Sequence, residues 1–216
     1  MADRYTTRYF EKYAALSLIH CCDAALSPYI MSESPDLQYP SLDMGCEVTR
    51  AVSAREGRAG RQANDYLNQG MDDAYIKEQM LRQYPNFEGE VYVIDDIAIV
   101  SPSMKNQTDF KIHIEKLHQS ILTKTMKLNK NYKRFAHNHL YIFTFTSLMD
   151  ETDIREILEQ SNREIEMYEV KYDVYYINCI DALYTVDRIS GIIERATLDD
   201  AVLDLLREEA TLSVRE

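Results

Sequence analysis

The stretch Ser32–Arg50, SESPDLQYPSLDMGCEVTR, sets the reading of the whole chain. Pro35 and Pro40 forbid a helix, so residues 32 to 40 read as a strand with turns. Asp43 to Arg50 reads as a buried strand, because Met44, Cys46 and Val48 are apolar and Gly45 is small. One acid, Glu47, interrupts that run. A carboxylate among apolar neighbours is costly unless it is paired or used, so Glu47 is a candidate for chemistry. Asp36 falls at the mouth of the preceding strand.

Outward from that stretch, the pattern alternates. Tyr5, Tyr9, Tyr13, Leu16, Ile19, Cys22 and Leu26 recur at helical spacing and predict a helix over 4–26, stopped by Ser27-Pro28. A short extended segment, 29–31, follows it. Helices are predicted over 52–69 and 72–84, split at Gly70, then two short strands, 91–94 and 97–100, around Asp95-Asp96. Thr108 reads as the cap of a long helix with Phe110, Ile114, Leu117, Ile121, Thr125 and Leu128 on its apolar stripe. After it come a strand over 139–146, a helix over 150–168 with Ile154, Ile157, Leu158 and Ile165 inward, and strands over 174–180 and 183–186. A terminal helix starts at Thr197 and bears Val202, Leu205 and Leu206. No linker, low-complexity segment or repeat breaks the series. The expectation is one α/β domain over 1–216, a mixed central sheet flanked by helices.

Composition narrows the function classes. With 216 residues, 45% of them hydrophobic, and only six Gly and five Pro, the chain can bury a core and is neither fibrous nor disordered. The longest apolar-looking stretch, Leu140 to Met149, is too short to span a bilayer. Met1-Ala2-Asp3-Arg4-Tyr5 does not open a signal peptide. Cys21, Cys22, Cys46 and Cys179 show neither zinc-ligand spacing nor a disulfide framework, and read as buried thiols of a cytoplasmic protein. His20 reads as a satisfied core histidine, and Glu11 as a surface residue or, if it points toward Asp36 and Glu47, as an auxiliary metal ligand. Asp95-Asp96 reads as a turn.

The net charge of −12 argues against a general nucleic-acid coat, but it is unevenly placed. Residues 1–103 carry nine basic and sixteen acidic side chains, net −7. Residues 140–216 carry seven and eighteen, net −11. Between them, residues 104–139 carry eight basic and two acidic, net +6. His113, Lys116, Ser120, Lys124 and Lys127 share a face beside the apolar stripe of the long helix, and Lys130, Lys133, Arg134, His137 and His139 extend it. The face is either a solvated stripe or a phosphate-contacting patch, and chemistry beside it decides which.

Two acids on neighbouring strands supply what phosphodiester hydrolysis needs, hard oxygen ligands that converge on Mg²⁺. The arrangement Pro35-Asp36 with Glu47-Val48-Thr49, preceded by a helix and followed by helix and strand, resembles the PD-(D/E)xK nuclease superfamily. The resemblance implies a restriction-endonuclease-like core at about 4–146, with a helical insertion and a C-terminal αββα extension at about 150–216. It implies cleavage of DNA or RNA dependent on Mg²⁺ (or Mn²⁺), with Asp36 and Glu47 as metal ligands.

The superfamily's lysine, two residues after the acid, is Thr49 here, and threonine brings no positive charge. Lys124 or Lys127 from the basic helix would have to serve instead. Arg50 is a third source, though it should face away from Thr49. Gln62 and Tyr66 match the QxxxY signature of RecB-like members, four apart on one helix face. Arg55, Arg58 and Arg61, with Lys116 and Lys130, complete the expected nucleic-acid contacts. The alternative is a nuclease-like fold that has lost cleavage and acts as a protein-binding or regulatory module. Its acidic terminal helix would then dock on a partner, pair in a homodimer or lie over the basic face.

Overall fold

The computed structural model of the chain describes residues 2–52, 54–84, 90–94, 97–101, 107–144, 146 and 149–215. The elements run α1 (Ala2–Cys21), β1 (Ile30–Met31), β2 (Leu37–Tyr39), β3 (Met44–Arg50), α2 (Ala54–Asn68), α3 (Asp73–Gln83), β4 (Glu90–Ile94), β5 (Ile97–Ser101) and α4 (Gln107–Lys130). They continue β6 (His137–Phe143), α5 (Glu151–Ile165), β7 (Val174–Cys179), β8 (Ala182–Asp187), β9 (Ile193–Thr197) and α6 (Asp200–Arg215). Seven strands form one mixed sheet in the order β1-β2-β3-β6-β7-β8-β9.

β3 holds the sheet's organisation. It pairs antiparallel with β2, Leu37 opposite Cys46, and parallel with β6, Glu47 opposite Leu140. A parallel neighbour requires a crossover connection, and α4 lies on that path. β7 continues parallel to β6, while β8 and β9 return as an antiparallel meander.

Side chains that alternate across β3 and β6 sort two apolar layers. Cys46, Val48, Tyr141 and Phe143 pack with α1 and α6 in one core. Leu140 and Ile142 pack with Leu117, Ile121 and Leu128 of α4 and Ile154, Ile157 and Leu158 of α5 in the other. Glu47, out of phase with Cys46 and Val48, therefore belongs to the face that α4 covers.

The insertion between β3 and α4 has its own small core of Ala59, Ala63, Ile76, Met80 and Ala98. The buried Asn64 side chain ties its helix to its ribbon. Asn64 Nδ2 donates to the Ala98 carbonyl at 2.6 Å and Asn64 Oδ1 accepts from the Ala98 N–H at 3.0 Å, in place of a neighbouring strand.

Several expectations shift. The first helix ends at Cys21, with a single 3-10 turn at Ala24–Leu26. Asp95-Asp96 lies outside the described residues. α4 begins one residue before Thr108, whose side chain is likewise outside them. The extension holds three strands, αβββα, because β9 (Ile-Glu-Arg-Ala-Thr) is an exposed edge with no apolar alternation to announce it. α6 starts at Asp200 and turns Leu203, Leu206 and Ala210 onto the α1 side, leaving Leu205 40% exposed. It covers the sheet face opposite α4 rather than the basic helix. Cys22 is exposed and only Cys46 and Cys179 are buried, while His20 is a surface residue 3.8 Å from Glu209.

Gly45 is a close-approach position. A Cβ there would meet Phe135 Cδ2 and Pro35 Cγ, each at 2.6 Å. Both belong to rings that cannot fold away. Gly45→Ala is expected to destabilise the protein by about 1–3 kcal/mol, read as a lower urea midpoint at unchanged slope. An unchanged midpoint would show that β3 and the Pro35 turn are free to separate.

Candidate active site

The site begins where β2 leaves β3. Backbone pairing ends at Leu37 opposite Cys46, and past it the Val48 N–H is taken by Asp36 Oδ2 at 2.7 Å. The Ser32 N–H donates to the Asp36 carbonyl at 2.9 Å and fixes the turn. Asp36 thus reaches the open edge of β3 beside Glu47.

Glu47 is 3% exposed. Lys124 Nζ lies 2.5 Å from Glu47 Oε1, and the Tyr132 hydroxyl donates to the same oxygen at 2.8 Å. Glu47 Oε2 is buried with no hydrogen-bond partner among the described residues. β3 and α4 face each other at this point, which is why the cation arrives from a helix 77 residues away in sequence.

A cavity of about 510 Å³ opens over these groups. Asp36, Glu47, Thr49 and Lys124 line it, with Glu11 on the α1 side and Arg58 and Arg61 on the α2 side. A second cavity of about 570 Å³ shares Thr49, Val52 and Lys124 with the first and runs along α4 past Lys116, Ser120 and Lys127. Burial, then the Glu47 charge, pushes Asp36 well above the usual carboxylate range. Burial also pushes Glu11 up to about 7, against the neighbouring Arg8 and with Glu47 adding to the rise. The Cys46 thiol, wholly buried, is raised well above its usual value and is a core group rather than a nucleophile.

The sequence-predicted residues divide. Asp36, Glu47 and Lys124 come together, and Arg58 and Arg61 stand exposed at the same cavity. Lys127 lines only the second cavity, and Lys130, though exposed, lines neither. Lys116 is committed to Glu56 at 2.7 Å, both side chains largely buried. Gln62 and Tyr66 serve the packing of α2 on α3 instead of the site. The Tyr84 hydroxyl donates to Gln62 Oε1 at 3.0 Å, and Gln83 Nε2 to the Tyr66 hydroxyl at 2.6 Å. Arg50 also lines the first cavity, but from over the Phe10 ring, 4.8 Å from its centroid, rather than beside Thr49. The Arg55 side chain lies outside the described residues. His113 and His139 are buried, so the basic stripe is shorter than its spacing suggested.

Tyr132 is not read from sequence, and Glu11 takes the auxiliary-ligand side of its two readings rather than the surface one. Glu11 is 9% exposed at the cavity wall rather than on the surface. Tyr132 lies beyond the helix end, where periodicity carries no signal.

Among the described residues, no group of three or more His, Cys, Asp or Glu side chains is arranged to hold a metal ion. The donor set is a pair, Asp36 and Glu47. An open pair suits a cation such as Mg²⁺, which keeps several waters and takes one or two carboxylates. A buried carboxylate oxygen with no donor, Glu47 Oε2, is costly unless something positive meets it. The residues present fit a hard divalent cation.

Compared with protein-family models, curated proteins and solved structures, the chain gives no match. No helix of the described residues is long and apolar enough to cross a membrane.

The raised acids make stability depend on pH with a definite sign. The folded state holds protons on Asp36 and Glu11 that the unfolded chain has already released, so stability falls as pH rises through their folded values. His139, which burial lowers to about 4, acts oppositely, but only below its unfolded value of about 6.5. In chelator, the melting temperature is therefore expected to fall from about pH 6.5 to about 8, and Glu11→Gln should flatten the fall. A melting temperature that rises across this window, followed by circular dichroism, would contradict the buried acid cluster.

Proposed function

We propose that the protein is a nuclease-like hydrolase of the PD-(D/E)xK type, cleaving phosphodiester bonds in DNA or RNA with a divalent cation, Mg²⁺ or Mn²⁺, held by Asp36 and Glu47. The observation that carries this reading is Lys124 Nζ at 2.5 Å from Glu47 Oε1, in the cavity that Asp36 also lines. It supplies from α4 the positive charge that Thr49 lacks. The order α1, the antiparallel β1-β2-β3, then α4 and a parallel β6 supports a restriction-endonuclease-like core.

When bound, the cation would orient a water and neutralise charge on the phosphate. Asp36 presents its carboxylate from the turn, braced by the Val48 N–H. Lys124 sets an ammonium beside the acid pair, where it attracts the scissile phosphate and holds a water by hydrogen bond. Arg58 and Arg61 at the rim contact flanking phosphates and so position the strand without reading its sequence. Glu11, at the wall, would accept from a water that such a cation keeps. The convergence of both acids and a lysine in one cleft favours this reading over a module that has lost cleavage.

Single- and double-stranded DNA and RNA incubated with Mg²⁺ or Mn²⁺ test it directly. Wild type is expected to cleave at least one of them, and Glu47→Ala and Lys124→Ala to lower the rate by about 10²–10³-fold. Removing one partner of a buried ion pair costs about 3–5 kcal/mol, so circular dichroism must show each variant folded at the assay temperature. Cleavage that survives Glu47→Ala would remove the site.

A further inference from the structure

Resting on the hydrolase reading, a further role follows from the unequal treatment of the two Glu47 oxygens. We propose that Tyr132 is a positioning residue: its hydroxyl, together with Lys124, claims Glu47 Oε1 and so dedicates Oε2 to the divalent cation.

The terminal torsion of a glutamate is broad and roughly two-fold. A single donor such as Lys124 can be met over a wide range of that torsion and leaves the position of the second oxygen loose. Two donors that converge on one oxygen from different elements narrow the torsion and so fix where the second oxygen sits. Lys124 comes from within α4, whereas Tyr132 comes from beyond its end. The N–H groups of Asn131 and Tyr132 both return to the Lys127 carbonyl, at 2.9 and 3.3 Å, and this turn brings the chain back under its own helix. The Tyr132 ring then packs on the α4–α5 core, and its hydroxyl reaches Glu47 Oε1 at 2.8 Å. Lys124 Nζ stands 3.5 Å from that hydroxyl and 5.9 Å from the ring centroid, so the ammonium is held from two sides.

The result is an asymmetric carboxylate. Oε1 accepts twice, and Oε2 is buried with no partner among the described residues. An ionised carboxylate offers about four lone-pair sites, so an oxygen with none filled is vacant by arrangement, not by saturation. Tyr132 touches neither substrate nor cation and acts through Glu47. Its protonated hydroxyl is suited to the task, since a donor is what Oε1 requires.

Mn²⁺ binding to the full chain without nucleic acid, measured by titration calorimetry, tests the assignment. Tyr132→Phe keeps the packed ring and loses only the hydroxyl. It is expected to weaken Mn²⁺ binding about 10–100-fold, with the melting temperature in chelator little changed. Tyr172→Phe is the control, because that hydroxyl donates to the Lys124 main-chain carbonyl at 3.3 Å and not to Glu47. Its Mn²⁺ affinity should match wild type. An equal loss in Tyr172→Phe would mean a general loosening of the core and overturn the role. Unchanged affinity in Tyr132→Phe, with binding abolished in Glu47→Gln, would overturn this inference alone. If wild type bound no Mn²⁺, both this role and the hydrolase reading would fall.

Discussion

Everything near the site depends on one buried ion pair, Glu47 with Lys124. Taking a carboxylate and an ammonium out of water is expensive, and their attraction repays it only with good geometry and further hydrogen bonds. Tyr132 supplies one of those bonds on the Glu47 side. The pair in turn constrains the fold. An acid on the α4-facing side of β3 is tolerable only if α4 docks in a register that delivers a lysine, here Lys124.

The same arrangement explains the uneven charge. The positive segment lies on the sheet face where the acid pair needs a cation. The acidic α6 covers the opposite face through Leu203, Leu206 and Ala210. The separation is partial, because the acidic α5 packs beside α4 on the same face and sets Glu164 Oε1 3.1 Å from His118 Nε2.

The sequence was most legible where periodicity and chemistry agreed. The α4 stripe, the inward residues of α5 and the anomalous acid in β3 all carried their meaning in local pattern. Lys124 could be named as a replacement for the charge missing at Thr49, but choosing it over Lys127 required the packing of α4 on β3. Gln62 and Tyr66 matched a short signature, yet Gln83 and Tyr84, on and just past α3, claimed both through hydrogen bonds that spacing does not reveal. Glu11 stays open between solvent and the site in the sequence, because nothing local distinguishes a helix acid at a cavity wall from one in solvent. β9 escaped because an edge strand needs no apolar alternation, and Tyr132 because a loop tyrosine in a chain with sixteen of them has no identifying context.

The separation of the acids from their lysine also orders events in time. Asp36 meets Val48 across 12 residues, a contact that a nascent β2–β3 hairpin makes early. Lys124 meets Glu47 across 77 residues, with the insertion and its own core between them. Long loops close slowly, and topology sets the rate. A half-made chain, whether emerging from the ribosome or refolding, therefore carries the two carboxylates before it carries the charge that completes them. The cleft is completed after the hairpin that begins it.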